Sequence, residues 1–94
     1  MNAAQFLEML IQEGYPDPVE VHQPPNGSLS EHSHPFAVKA LVIEGSIEIS
    51  IAGNTQSYEV GDIFELADQE LHSESYGPHG VRYLASRKQS KRLL

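Results

Sequence analysis

Cysteine is absent from all 94 residues. That excludes disulfides, thiolate metal sites, cysteine nucleophiles and iron–sulfur clusters together. Basic residues are scarce: six Lys and Arg stand against 13 Asp and Glu, for a formal net charge of −7. Every acidic residue lies between Glu8 and Glu74, and only Lys39 among the basic residues precedes Arg82. A domain this acidic repels a polyphosphate backbone, so no nucleic-acid partner is expected. Arg87, Lys88, Lys91 and Arg92 read as a short solvated tail attracted to its own acidic domain. No apolar run is long enough for a membrane-spanning helix, so no membrane partner is expected. The apolar stretch Phe6 to Ile11 has no basic n-region and is interrupted by Glu8, unlike a signal peptide. A cytoplasmic location is the default expectation. The phosphate-cradling Gly-x-Gly-x-x-Gly and the nucleophile elbow Gly-x-Ser-x-Gly are also missing.

What is present fits one small domain. A chain this short buries only about 60–65 % of the surface its unfolded form exposes. With no cross-links to help, it is expected to pair as a homodimer. Residues 2–13 read as a helix, with Asn2 as cap, Gly14 as terminator, and Phe6, Leu7, Leu10 and Ile11 in one apolar stripe. Tyr15-Pro16-Asp17-Pro18 then breaks the chain. Residues 1–14 are thus a helix and residues 15–94 a β-barrel with a basic tail, within one domain.

From Val19 onward, short strands alternate with turns. Val19–Gln23, Ser46–Ile51, Thr55–Val60, Ile63–Leu66, Leu71–Tyr76 and Val81–Arg87 each read as a strand. Ile47, Ile49 and Ile51 alternating with Ser46, Glu48 and Ser50 give the clearest case. Pro24-Pro25-Asn26-Gly27 and Gly77-Pro78-His79-Gly80 read as turns. Val38–Ile43 is apolar on both faces apart from Lys39, so both its sides must be covered. The outer cover must be the helix, the overhang of a second sheet or another subunit. About eight short strands favour a closed or jelly-roll barrel, an all-β fold that limits exposed edges.

His32 and His34 are two residues apart, a spacing that puts both imidazoles on one face of a strand, close enough to chelate one ion. Gly27 to Gly45, with His32-Ser33-His34 inside it, resembles the first motif of the cupin family: glycine, five residues, His-x-His, three or four residues, Glu, six residues, glycine. Gly61 to Tyr76, with His72 inside it, resembles the second: glycine, five residues, Pro-x-Gly, two residues, His, three residues, Asn. The resemblance covers about residues 19–87 and implies a single-domain cupin barrel, cytosolic and commonly dimeric. It also implies His32, His34 and His72 as ligands of one divalent ion.

Several motif positions depart from the pattern. Gly27 is one residue too close to His32, and Ala67, Gln69 and Tyr76 replace Pro, Gly and Asn. The family's metal-binding glutamate is missing, since its position falls on Val38 or, with the longer spacing, on Lys39. Three neutral imidazoles suffice for zinc, and imidazole also suits iron, copper and nickel. The candidate ions are Fe(II), Zn(II), Mn(II) and Ni(II). Without the carboxylate the +2 charge is uncompensated, and the site should draw anionic ligands. A Lys39 pointing into the barrel would instead repel a cation, leaving the histidines as mere polar lining.

Glu74 shares the strand face of His72, where it is a candidate replacement ligand or general base. Lys39, if buried, must pair with an acid or lose its proton, and in the second case it becomes a candidate base. His22 and His79 are weaker candidates. Phe36, Phe64, Tyr58 and Tyr83 are expected in the core or at the pocket mouth. The expected function is metal-dependent chemistry on a small oxygen-rich molecule, of oxygenase, isomerase or lyase type. The alternative is a non-catalytic module that binds or senses a small ligand.

Overall fold

A computed structural model describes residues 1–89; Lys91 and Arg92 of the anticipated tail lie outside the described residues. Helix α1 (Ala3–Gln12) is followed by strands β1 (Val19–Gln23), β2 (Ser28–His32), β3 (Phe36–Ile51), β4 (Asn54–Glu59), β5 (Ile63–Leu66) and β6 (His72–Gln89). The helix starts at a capping box: the Asn2 side chain accepts from the Gln5 backbone N–H, and the Gln5 side chain accepts from the Asn2 backbone. Gly14, at φ +74°, takes the chain out of it.

All pairings are antiparallel. Strands β1, β6, β3 and β4 follow one another in the sheet, β2 joins β6, and β5 joins β3. The barrel is therefore built on two long strands rather than on many short ones. The predicted strands at Val38–Ile43 and Ser46–Ile51 are the two halves of β3, and Leu71–Tyr76 and Val81–Arg87 are the two halves of β6. Gly77-Pro78-His79-Gly80 turns no hairpin. It bends β6 alongside a bend in β3, and the two strands stay paired on both sides, from Phe36↔Gln89 to Ser50↔Ser73, with register shifts around Gly45. Gly45 sits at φ +75°, and a Cβ there would lie 2.1 Å from the Gly80 carbonyl oxygen. β3 can approach β6 this closely only because Gly45 has no side chain, and a Cβ on Gly80 would instead meet the Gln23 carbonyl oxygen at 2.6 Å.

The apolar run of β3 is covered on both faces by this chain itself. Val38, Ala40 and Val42 face the barrel interior with Phe64, Leu66, Tyr83 and Ala85. Leu41 faces outward and is buried under Phe6 and Leu10 of α1, with Ile43, Ile63 and Leu84 around them. Of the three covers the sequence allowed, the helix is the one found. Half of its predicted stripe does this work, since Phe6 and Leu10 are buried while Leu7 and Ile11 are exposed.

Candidate metal centre

Two local arrangements bring the three sequence-predicted imidazoles together. Strand β2 pairs with the start of β6 so that His32 lies directly opposite His72. His34 falls just beyond the end of β2, not on the strand as its spacing suggests. Its position is held instead by the Gln69 N–H, which donates to the His34 carbonyl at 2.7 Å and ties the β2–β3 connection to the loop before His72. Ring centroids lie 4.3 Å (His32–His72), 5.0 Å (His32–His34) and 5.4 Å (His34–His72) apart. One ligand nitrogen from each lies within 4.8 Å of the others.

The rings are oriented as well as clustered. His32 Nδ1 meets the Ser30 carbonyl at 2.7 Å, and His72 Nδ1 meets the Glu70 carbonyl at 3.0 Å. A carbonyl oxygen only accepts, so Nδ1 carries a proton in both rings, which in a neutral ring leaves Nε2 as the nitrogen with the lone pair. Backbone hydrogen bonds of this kind orient metal-binding histidines. Burial lowers the His34 pKa below its ordinary value, helped by the neighbouring His32 and His72 rings and Arg87, and against the pull of Glu74. His34 is therefore neutral at pH 7. The His72 side chain is fully buried, and its Nε2 has no hydrogen-bond partner. A buried polar atom left unpaired is unfavourable by about 1–3 kcal/mol. A divalent ion satisfies that lone pair, so the donor set fits such an ion.

Glu74 is buried, not a solvated residue at a strand end. Its Oε1 accepts from the Tyr76 hydroxyl at 2.8 Å, and its Oε2 lies 3.4 Å from His72 Nε2. Burial pushes the Tyr76 phenol well above its ordinary pKa, reinforced by the Glu74 carboxylate. Tyr76 therefore stays a neutral donor. Val38, in the position of the family's glutamate, lines the same cavity.

Lys39 is not in the cavity. Its alternation along β3 matches outward-facing Leu41, and its ammonium pairs with Glu13 after α1 and with Glu65 of β5 (2.7 Å to the latter), over the Tyr15 ring. Burial alone would push Lys39 down; the hydrogen bonds and charges of Glu13 and Glu65 outweigh it and hold the ammonium above its ordinary pKa. Lys39, expected as a candidate catalytic residue, thus stands as a paired ammonium on the outer face of β3, away from the cavity that the histidines line. With both carboxylates ionised, the pairing is fully present up to about 10.5 and is lost on the alkaline side as pH rises through the elevated Lys39 value. Both acids are partly exposed and can rehydrate. Lys39→Met is therefore expected to destabilise by about 1 kcal/mol or less and to leave metal affinity unchanged, measured by thermal melts and metal titration.

The cavity, of about 280 Å³, is lined by His32, His34 and Glu74, by the apolar Leu29, Phe64 and Leu66, and by Gln23, Tyr83 and Arg87. Arg87, read from the sequence as part of a tail, sits over the Phe36 ring, and Phe36 stacks on His34 with ring planes 9° apart. Its signal was in the sequence: residues 83, 85 and 87 of the last strand share one face, and all three line the cavity. Burial pushes the Tyr83 phenol up to about 12, so it too remains a neutral donor. His22 lies away from the cavity and accepts from Arg82 Nε at 3.0 Å; Arg82 also pairs with Glu20 and Glu44. His79 is exposed.

No protein-family model and no curated protein matches the chain. Solved structures do. A cupin superfamily protein from Desulfitobacterium hafniense superposes with a TM-score of 0.67 at 14% identity, over 76% of this chain and 64% of that one. The fold is that of a cupin. KdgF from a Halomonas species matches with a TM-score of 0.63 at 18% identity, over 84% of this chain and 76% of that one. An oxalate decarboxylase variant from Bacillus subtilis matches with a TM-score of 0.69 at 21% identity, over 77% of this chain and 20% of that one. This chain thus spans less than two thirds of the Desulfitobacterium protein and a fifth of the decarboxylase. Among the described residues, no helix is long and apolar enough to cross a membrane.

Proposed function

We propose that this cupin barrel binds one divalent transition ion, Fe(II), Zn(II), Mn(II) or Ni(II), through His32, His34 and His72, and uses it on a small oxygen-rich molecule. The observation that carries the reading is the gathering of His32, His34 and His72, one ring nitrogen of each within 4.8 Å of the others, together with a buried, unpartnered Nε2 on His72. When bound, such an ion polarises a substrate oxygen or lowers the pKa of a coordinated water. The chain's own residues supply the rest. Ser30 and Glu70 carbonyls orient two of the rings. Leu29, Phe64 and Leu66 exclude water along one wall of the cavity. Arg87, held over Phe36 in the same cavity, gives an anionic group of the ligand a partner. Chemistry of oxygenase, isomerase or lyase type suits this arrangement, and one structural neighbour is an oxalate decarboxylase. Two copies forming a homodimer, and a cytoplasmic setting, belong to the same proposal.

The test is metal content and thermal stability of tag-free protein prepared without chelator. An ion at a hundredfold excess over its dissociation constant adds about 2.7 kcal/mol. For a chain of this size that raises the melting temperature by about 10–20 °C. If none of the four ions co-purifies, and none shifts the melting curve of apo-protein, the reading fails.

A further inference from the structure

We infer that Phe36 positions the His34 ring of this metal centre, and that Arg87 pins Phe36 in place from the neighbouring strand. The inference rests on the metal-binding reading above and goes beyond it by naming what orients the third imidazole.

The three rings are not held alike. His32 and His72 are each fixed through Nδ1 by a backbone carbonyl, that of Ser30 and that of Glu70. Among the described residues the His34 ring makes no hydrogen bond. Only its backbone is tied, through the carbonyl that accepts from the Gln69 N–H. That bond places the main chain and leaves both side-chain torsions open. His34 also lies past the end of β2, so strand geometry does not direct it either. What the ring does meet is Phe36, with centroids 5.1 Å apart and planes 9° apart, an offset-stacked pair. Its other ring contacts are His32 and His72 themselves, so among the described residues Phe36 is the one aromatic partner from outside the triad. Stacking fixes the plane of an imidazole without engaging either nitrogen.

The register explains why Arg87 is the residue that does the pinning. Val38 lies directly opposite Arg87 of β6, and Phe36, two residues earlier on the same face of β3, is its diagonal neighbour. A diagonal neighbour is within reach of a long side chain. The guanidinium carbon sits 5.2 Å from the Phe36 centroid, inside the range of about 6 Å for a cation–π contact. Among the described residues Arg87 takes part in no ion pair, whereas Arg82 is paired with Glu20 and Glu44, and Lys39 with Glu13 and Glu65. No acid therefore draws the guanidinium off the ring. Phe36 needs such a partner because it opens β3 and is only partly buried against the core.

The test compares wild-type, Phe36→Leu, Phe36→Tyr and Arg87→Gln apo-proteins in calorimetric titrations with Zn(II), and in visible spectra with Co(II). Leucine keeps an apolar side chain but has no ring plane. Phe36→Leu is expected to weaken Zn(II) by about 10-fold, the effect of losing an outer partner of a ligand, and to alter the Co(II) absorption bands. Phe36→Tyr keeps the ring and is expected to retain both the affinity and the bands. Arg87→Gln separates pinning from charge. Charge alone makes Zn(II) binding tighter once a nearby cation is removed. Pinning makes it weaker, by about 2- to 5-fold, the worth of an exposed cation–π contact. Wild-type Zn(II) affinity and Co(II) bands in Phe36→Leu, or an equal loss in Phe36→Tyr, would overturn the inference and leave the three-histidine reading intact. Unchanged or tighter Zn(II) binding in Arg87→Gln overturns the part given to Arg87. Wild-type protein that binds neither ion overturns both inference and reading. Should Phe36→Leu fail to fold, Arg87→Gln, at an exposed position, decides.

Discussion

His72→Ala is expected to abolish metal binding, with affinity falling by more than about 100-fold, while the melting temperature of the apo-protein changes little. The two outcomes have separate causes. His72 lies opposite His32 across the β2–β6 pair and is the most buried of the three histidines. Removing it leaves two partly exposed imidazoles. In apo-protein, however, the ring contributes less than its burial suggests. Its Nδ1 hydrogen bond to the Glu70 carbonyl is worth about 1 kcal/mol, and its unpaired Nε2 offsets about as much. Calorimetric metal titration and thermal melts with and without Zn(II) read both quantities on one sample. A loss of apo stability with metal affinity retained would mean that His72 is a packing residue.

The largest effect on folding is expected from Gly45→Ala. The left-handed backbone at φ +75° is unfavourable by about 1–2 kcal/mol for any residue with a Cβ. Far worse, the new carbon would lie 2.1 Å from the Gly80 carbonyl oxygen and 2.9 Å from its carbon, both backbone atoms in the partner strand. Relief requires β3 and β6 to part at their common bend, where they form most of the barrel. A destabilisation of about 4 kcal/mol or more follows. That corresponds to about 20 °C in melting temperature, or to loss of the folded state altogether. Gly53 is the control. It has a similar backbone, φ +83°, but nothing within 4 Å of a built Cβ, so Gly53→Ala should show the conformational contribution alone. Equal melting temperatures for the two variants would refute the steric account.

Gly45 also shows why turn composition overcounts the strands. Gly77-Pro78-His79-Gly80 has the residues of a turn, and local chemistry alone makes it a hairpin. In the fold, the same residues bend a strand that stays paired with β3 on both sides. Whether glycine and proline reverse a chain or only kink it depends on what lies alongside. Here that is Gly45, far away in the chain. Val38–Ile43 poses a related question. Its two apolar faces require two covers, but which element supplies the outer one depends on α1 docking Phe6 and Leu10 against Leu41.

Charge placement divides in the same way. The sequence points to Lys39 and Glu74 as the two ionisable residues near the histidines, and both are buried. They lie on opposite sides of the barrel wall. Lys39 is on the outer face of β3, between Glu13 and Glu65, while Glu74 is on the inner face of β6. Alternation within a strand sorts residues into two faces without saying which face is the inside.

From residue order alone came the β-rich architecture, the capped helix, the cupin resemblance and three histidines expected at one place, where the fold does gather them. All of these rest on spacings within a segment or between two motifs. Folding decided the rest: that four predicted strands are two, that Lys39 is tied to acids outside the cavity, and that Glu74 and Arg87 stand inside it. These outcomes depend on register and facing between segments far apart in the chain, where a shift of one residue moves every side chain to the other side.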